Sequence, residues 1–82
     1  MLPPISVHHP RYAVLQAHLR QLRVGAGLTQ VDLARRLKVD QSYVSKIERG
    51  ERYVDILFYL DWCRACEADP SHAVTLLGEK GA

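Results

Sequence analysis

Gln41, Ser42, Ser45 and Lys46 fall at positions that share one side of an α-helix. Their amide, hydroxyl and ammonium groups suit hydrogen bonding to nucleobase edges. A glutamine amide pairs bidentately with adenine N6 and N7, and a lysine reaches guanine O6/N7 or a phosphate. The competing role for Gln41 and Ser42 is helix capping with solvated side chains. Tyr43 has two open roles: its hydroxyl can meet a phosphate and its ring a thymine methyl at a groove edge, or the ring packs against the preceding helix.

Little else in the chain is arranged for chemistry. Cys63 and Cys66 form a CxxC, but no second pair accompanies it and it sits inside an apolar helical pattern, so two buried thiols are expected rather than a redox or zinc site. His8, His9, His18 and His72 are scattered without ligand spacing. No Ser/His/Asp constellation or phosphate loop is present. No catalysis, metal or cofactor is expected.

Five helices should carry these groups. Residues 1–10 hold three of the four prolines and read as an extended arm. A first helix over 11–26 shows Leu15, Leu19, Leu22 and Ala26 at helical period, and Gly25 and Gly27 mark its end. Thr29 is an N-cap supported by Asp32, with Leu28 and Leu33 at staple spacing. The helix it opens reaches Leu37, with Val31, Ala34 and Leu37 inward. After a short turn, Asp40 caps a third helix that ends at Gly50 and turns Val44 and Ile47 to the core. Such a helix pair is a helix-turn-helix, the geometry that sets its second member into a DNA major groove. A fourth helix runs from Asp55 to about Glu67 and is apolar over most of its circumference. Two-sided burial of that kind is more than a small monomer should supply, so Phe58, Tyr59 and Trp62 are expected at a subunit interface. Asp69 and Pro70 open a fifth helix that Gly78 should stop, leaving 79–82 frayed. The domain proper is thus 11–78.

Length and charge agree with this outline. Eighty-two residues make one domain near the lower limit of independent stability, which a second subunit would support. Residues 1–52 carry nine Lys/Arg against four Asp/Glu, net +5, and residues 53–82 carry two against five, net −3. A basic half containing the helix pair suits a polyanionic partner on one side. No apolar run approaches the roughly 20 residues of a membrane span, and the N-terminus lacks signal-peptide character. A soluble, cytoplasmic, nucleoid-associated protein of bacterial or phage type is expected.

The string LTQVDLARRLKVDQSYVSKIERGER at 28–52 resembles the Cro/CI-type, or XRE, helix-turn-helix family. The shared features are Leu-Thr-Gln, a Leu-Ala pair, a hydrophobic turn residue, a polar helix start and Val-Ser-x-Ile-Glu-x-Gly. The resemblance covers about 12–77 and implies an all-α, compact, five-helix, lambda-repressor-like domain with the motif at helices 2 and 3. It further implies base reading by Gln41, Ser42, Ser45 and Lys46. Gln30 is implied to grip a phosphate and support Gln41, and Arg49 and Arg52 to hold the sugar-phosphate backbone, with Tyr43 at its edge. Glu48 should pair with Arg23 as a brace worth about 1 kcal/mol if partly exposed. Arg35, Arg36 and Lys38 are further phosphate candidates.

The expected partners are a double-stranded DNA operator with inverted half-sites and a second copy of the chain, with contact to RNA polymerase possible. The implied function is transcriptional regulation, repression foremost, as in phage repressors or restriction-modification controller proteins. A different class, an antitoxin-like protein-interaction module, stays open at this point.

Overall fold

The computed structural model describes residues 6–82. They form α1 (Pro10–Gly25), α2 (Gln30–Leu37), α3 (Gln41–Glu48), α4 (Ile56–Ala65) and α5 (Pro70–Glu79), with no strand among the described residues. Residues 1–5 of the expected arm lie outside the described residues. The rest of it is a turn leading into α1, where His9 Nδ1 accepts from the Arg11 N–H at 3.1 Å and Pro10 opens the helix.

Local chemistry explains the remaining helix starts. Thr29 and Asp32 form a reciprocal capping box, each side chain accepting the other's backbone N–H at 3.0 Å. Asp55 accepts from the Phe58 N–H at 2.8 Å, and Asp69 from the Ser71 N–H at 3.1 Å. Asp40 alone has the extended cap conformation without a side-chain cap bond.

The helix ends share one device. Each closes in a left-handed residue, Gly27, Lys38, Gly50, Glu67 and Gly81 in turn, whose N–H bonds three residues back while the next N–H bonds five back. At Gly50 φ is +74°, and an added Cβ would collide with the Gln16 amide that covers it. The last turn also departs from the sequence expectation. Gly78 does not stop α5, which continues to Glu79, and the closing turn is tied down where Lys80 Nζ donates to Gln21 Oε1 at 2.8 Å.

The core is Leu19, Leu33, Ala34, Val44, Ile47, Tyr59, Trp62, Cys63, Cys66 and Ala73. Two expectations are corrected here. Val31 is half exposed, and Leu33 takes the inward place on α2. Tyr59 and Trp62 are not available to a second subunit: Trp62 is 0% exposed, with its indole N–H donating to the Leu19 carbonyl at 3.0 Å. Phe58 is half buried between the Tyr43 and Trp62 rings. α4 packs on α2 and α5 of its own chain, so the helix finds two-sided cover in the monomer. The apolar residues it leaves outside are Ile56 and Leu57, 64% and 70% exposed.

His18, passed over in the sequence, is 1% exposed, and its Nε2 lies 2.8 Å from the Tyr59 hydroxyl. Burial first, and the Lys80 ammonium 3.5 Å from Nδ1 second, push its pKa below the ordinary value of 6.5. Because the unfolded chain then takes up the proton before the folded one, His18's contribution is complete above about pH 6.5 and declines as pH falls toward the depressed folded value. Denaturation midpoints should therefore drop between pH 7.5 and 5.5, and His18→Gln should flatten that dependence. An unchanged slope in the variant would exonerate His18.

Candidate nucleic-acid interface

α2 and α3 are joined by residues 38–40, so their relative angle is set by very little chain. Val44 and Ile47, both 0% exposed, pin one side of α3 to the core. The opposite side carries Gln41, Ser42 and Lys46 exposed and Ser45 half buried. The helix pattern thus brings together on one face the four residues assigned to base edges.

A hydrogen-bonded chain reaches that face from α1. Arg23 grips Glu48 with two bonds, Nε to Oε2 at 2.7 Å and Nη2 to Oε1 at 3.0 Å, and donates a third from Nη1 to the Leu28 carbonyl at 2.9 Å. Glu48 Oε1 also accepts from Gln30 Nε2 at 3.1 Å, and Gln30 Oε1 accepts from Gln41 Nε2 at 2.8 Å. Only one orientation of the two amides satisfies this order. A carboxylate can only accept, so Gln30 must turn its NH2 to Glu48 and its carbonyl to Gln41. Gln41 then keeps its own carbonyl and one N–H without a partner among the described residues, the kinds of acceptor and donor that adenine N6 and N7 require. Gln30, assigned to a phosphate, is half buried and serves here as the bridge; one amide N–H and its backbone remain for an anion.

The Arg23–Glu48 pair is less exposed than its assignment supposed, with side chains 11% and 5% exposed. Its hydrogen bonds to Glu48 raise the arginine pKa further and keep it charged. Such a bidentate, nearly desolvated pair behaves as a buried bridge, whose loss of one partner costs several times the surface value of about 1 kcal/mol.

The other cations divide. Arg49 is exposed but paired with Glu51. Arg36 turns away from α3, donating to the Ala65 carbonyl at 2.8 Å beside Glu67. Arg52 lies over the Tyr43 ring, 4.3 Å from its centroid, and the Tyr43 ring meets Phe58 of α4, the ring centroids 5.4 Å apart. Sequence reading overlooked Tyr12, whose hydroxyl bonds the backbone beside Arg52. Nothing in its spacing signals a bond made 40 residues away. Cys63 and Cys66 are free and buried, and burial lifts the Cys66 thiol to about 11. No group of three or more potential metal ligands occurs among the described residues.

A short helix pair with a core-pinned second helix, a polar outer face and flanking cations defines a helix-turn-helix DNA-binding domain. Residues 15–76 match the family described as helix-turn-helix domain. An XRE-family like protein from Pseudomonas syringae pv. tomato str. DC3000 is 38% identical, with 93% of each chain covered and a TM-score of 0.82. The restriction-modification controller protein C.AhdI from Aeromonas hydrophila is 32% identical over 79% of this chain and 98% of its own, with a TM-score of 0.70. The controller protein C.Esp1396I, solved as a tetramer with its natural 35 base-pair operator, is 23% identical over 89% of this chain and 96% of its own, and its TM-score of 0.80 shows the same fold. No curated protein matches the chain. The chain belongs to the XRE-type helix-turn-helix family and carries the fold of its DNA-binding transcriptional regulators. No described helix is long and apolar enough to cross a membrane.

Proposed function

We propose that this protein is a sequence-specific transcriptional repressor that binds an inverted-repeat operator as a homodimer. The observation that carries the reading is the amide chain from Arg23 through Glu48 and Gln30 to Gln41, which holds a base-reading group outward with its donor and acceptor already oriented. Gln41, Ser42, Ser45 and Lys46 read bases. Gln30, Tyr43, Arg49 and Arg52 meet the sugar-phosphate backbone, and Arg23 with Glu48 braces the reading helix. A second copy docks on the apolar residues left outside the core, Ile56 and Leu57 of α4 with Val74 of α5, 46% exposed. C.Esp1396I, of the same fold, is a tetramer on its operator, which favours a multi-copy arrangement.

Selection of bound sites from random duplex DNA tests this. Enriched sequences should contain inverted half-sites with centres about 10 base pairs apart, or a multiple of that turn. Recovery of no common sequence would refute sequence-specific binding. Gln41→Ala and Ser42→Ala should relax preference at defined positions of the selected site, at about 1 to 3 kcal/mol for each bidentate pairing with a base that is removed. Retained preference would remove both from base reading. Arg52→Ala should weaken binding to every duplex and lower the salt slope by about one. An unaltered slope would place Arg52 off the phosphates.

A further inference from the structure

Residues 49–55 join α3 to α4 without regular structure, yet they carry Arg52 at the margin of the reading helix. The first part of this segment is held by the turn at Gly50 and by the Glu51 N–H bonded to the Lys46 carbonyl at 2.8 Å. Beyond Glu51 the main chain is held by one side chain from α1. The Tyr12 hydroxyl donates to the Arg52 carbonyl at 3.1 Å and accepts from the Val54 N–H at 2.9 Å. Among the described residues these are the only hydrogen bonds to the backbone of 52–54. The Tyr12 ring also meets Tyr53 edge-on, with centroids 5.5 Å apart. On the other side the Arg52 guanidinium rests on Tyr43.

We propose that Tyr12 is a positioning residue for DNA binding: its hydroxyl staples the backbone at Arg52 and Val54 to α1, so that the Arg52 guanidinium waits on the Tyr43 ring in a place set before DNA arrives. This rests on the reading of Arg52 as a phosphate contact. An arginine on a free loop loses backbone and rotamer freedom when it engages a phosphate, and a loop already tied on both sides of that arginine loses less. Tyr12 thereby couples α1, which carries no residue assigned to DNA, to the far edge of the interface.

The hydroxyl can be removed without removing the ring. In Tyr12→Phe the packing on Tyr53 stays, and the two freed backbone groups lie near enough to the surface for water to replace the missing bonds. The full chain, Tyr12→Phe, Arg52→Ala and the double variant are titrated with duplex DNA of mixed sequence across a salt series, at a temperature where circular dichroism shows all four folded. Tyr12→Phe should weaken binding about fivefold, the scale of one hydrogen bond, and lower the salt slope toward that of Arg52→Ala. In the Arg52→Ala background it should cause no further loss.

Wild-type affinity and slope in Tyr12→Phe, with Arg52→Ala impaired, would overturn the inference alone. A full second loss in the double variant would also overturn it, since Tyr12 would then act independently of Arg52. If Arg52→Ala itself binds as the wild type does, the phosphate reading falls and the inference with it. Tyr53→Leu gives a second reading that keeps the hydroxyl and removes the ring pair. It should lower stability and preserve the slope, and an equal loss of slope there would assign the effect to packing and overturn the role of the hydroxyl.

Discussion

Glu48→Ala should lower the unfolding free energy by about 3 kcal/mol, the lower end of the range for breaking one partner of a buried pair. The carboxylate accepts from Arg23 Nε, Arg23 Nη2 and Gln30 Nε2, and its side chain is 5% exposed. Alanine would leave a guanidinium that is 11% exposed without its counter-charge. Against a typical domain stability of roughly 5 to 15 kcal/mol, that loss is a large share. Urea titration should show the midpoint falling with the slope unchanged, since native and unfolded surfaces are hardly altered. Glu48→Gln refines the test: its amide brings donors among donors, so it should recover only part of the stability. A loss near the surface-pair value of about 1 kcal/mol would show that water reaches the bridge after all. The same substitution frees Gln30 to rotate, so Gln41 loses its oriented amide and sequence preference should weaken even where the protein stays folded.

Trp62→Ala should cost about 3 to 5 kcal/mol, the range for truncating a large buried aromatic. Its ring is fully enclosed at the meeting of α1 and α4, and its N–H is the partner of the Leu19 carbonyl. Alanine leaves both a cavity and an orphaned acceptor, so the thermal transition should fall by many degrees or vanish. Trp62→Arg, which a place for Trp62 at a subunit interface would leave as a folded monomer, should instead give an unfolded chain. Leu57→Arg is the informative contrast. Leucine at 70% exposure has little packing to lose, so the variant should keep wild-type helicity while sedimenting at half the mass of a Leu57-mediated dimer. A Trp62→Ala protein as stable as the parent would mean that the indole does not sit in the core.

Much of the fold was legible because its signals are local. The Thr29/Asp32 box, Asp55 before α4, Asp69 with Pro70 and the left-handed Gly50 act within a few residues of themselves, and each helix of the structure begins within a residue of where such signals put it. Position 78 misled because a glycine ends a helix only where the backbone actually turns left-handed. Here Gly81 does that instead. Lys38 and Glu67 close α2 and α4 in the same conformation without being glycine, so residue type alone could not mark those ends.

By itself, then, the sequence determined five helices, a helix pair with a short turn, and the polar face of α3, since periodicity and capping depend on neighbours in the chain. Which side of each helix meets which partner was decided by the tertiary structure alone. An all-round apolar α4 reads the same whether its cover is its own α2 and α5 or a second subunit, because burial depends on what is nearby and not on sequence distance. For the same reason Val31 reads inward but lies outside, the Arg23–Glu48 bridge proves largely shielded from water, and Tyr12 reaches across 40 residues to the backbone beside Arg52.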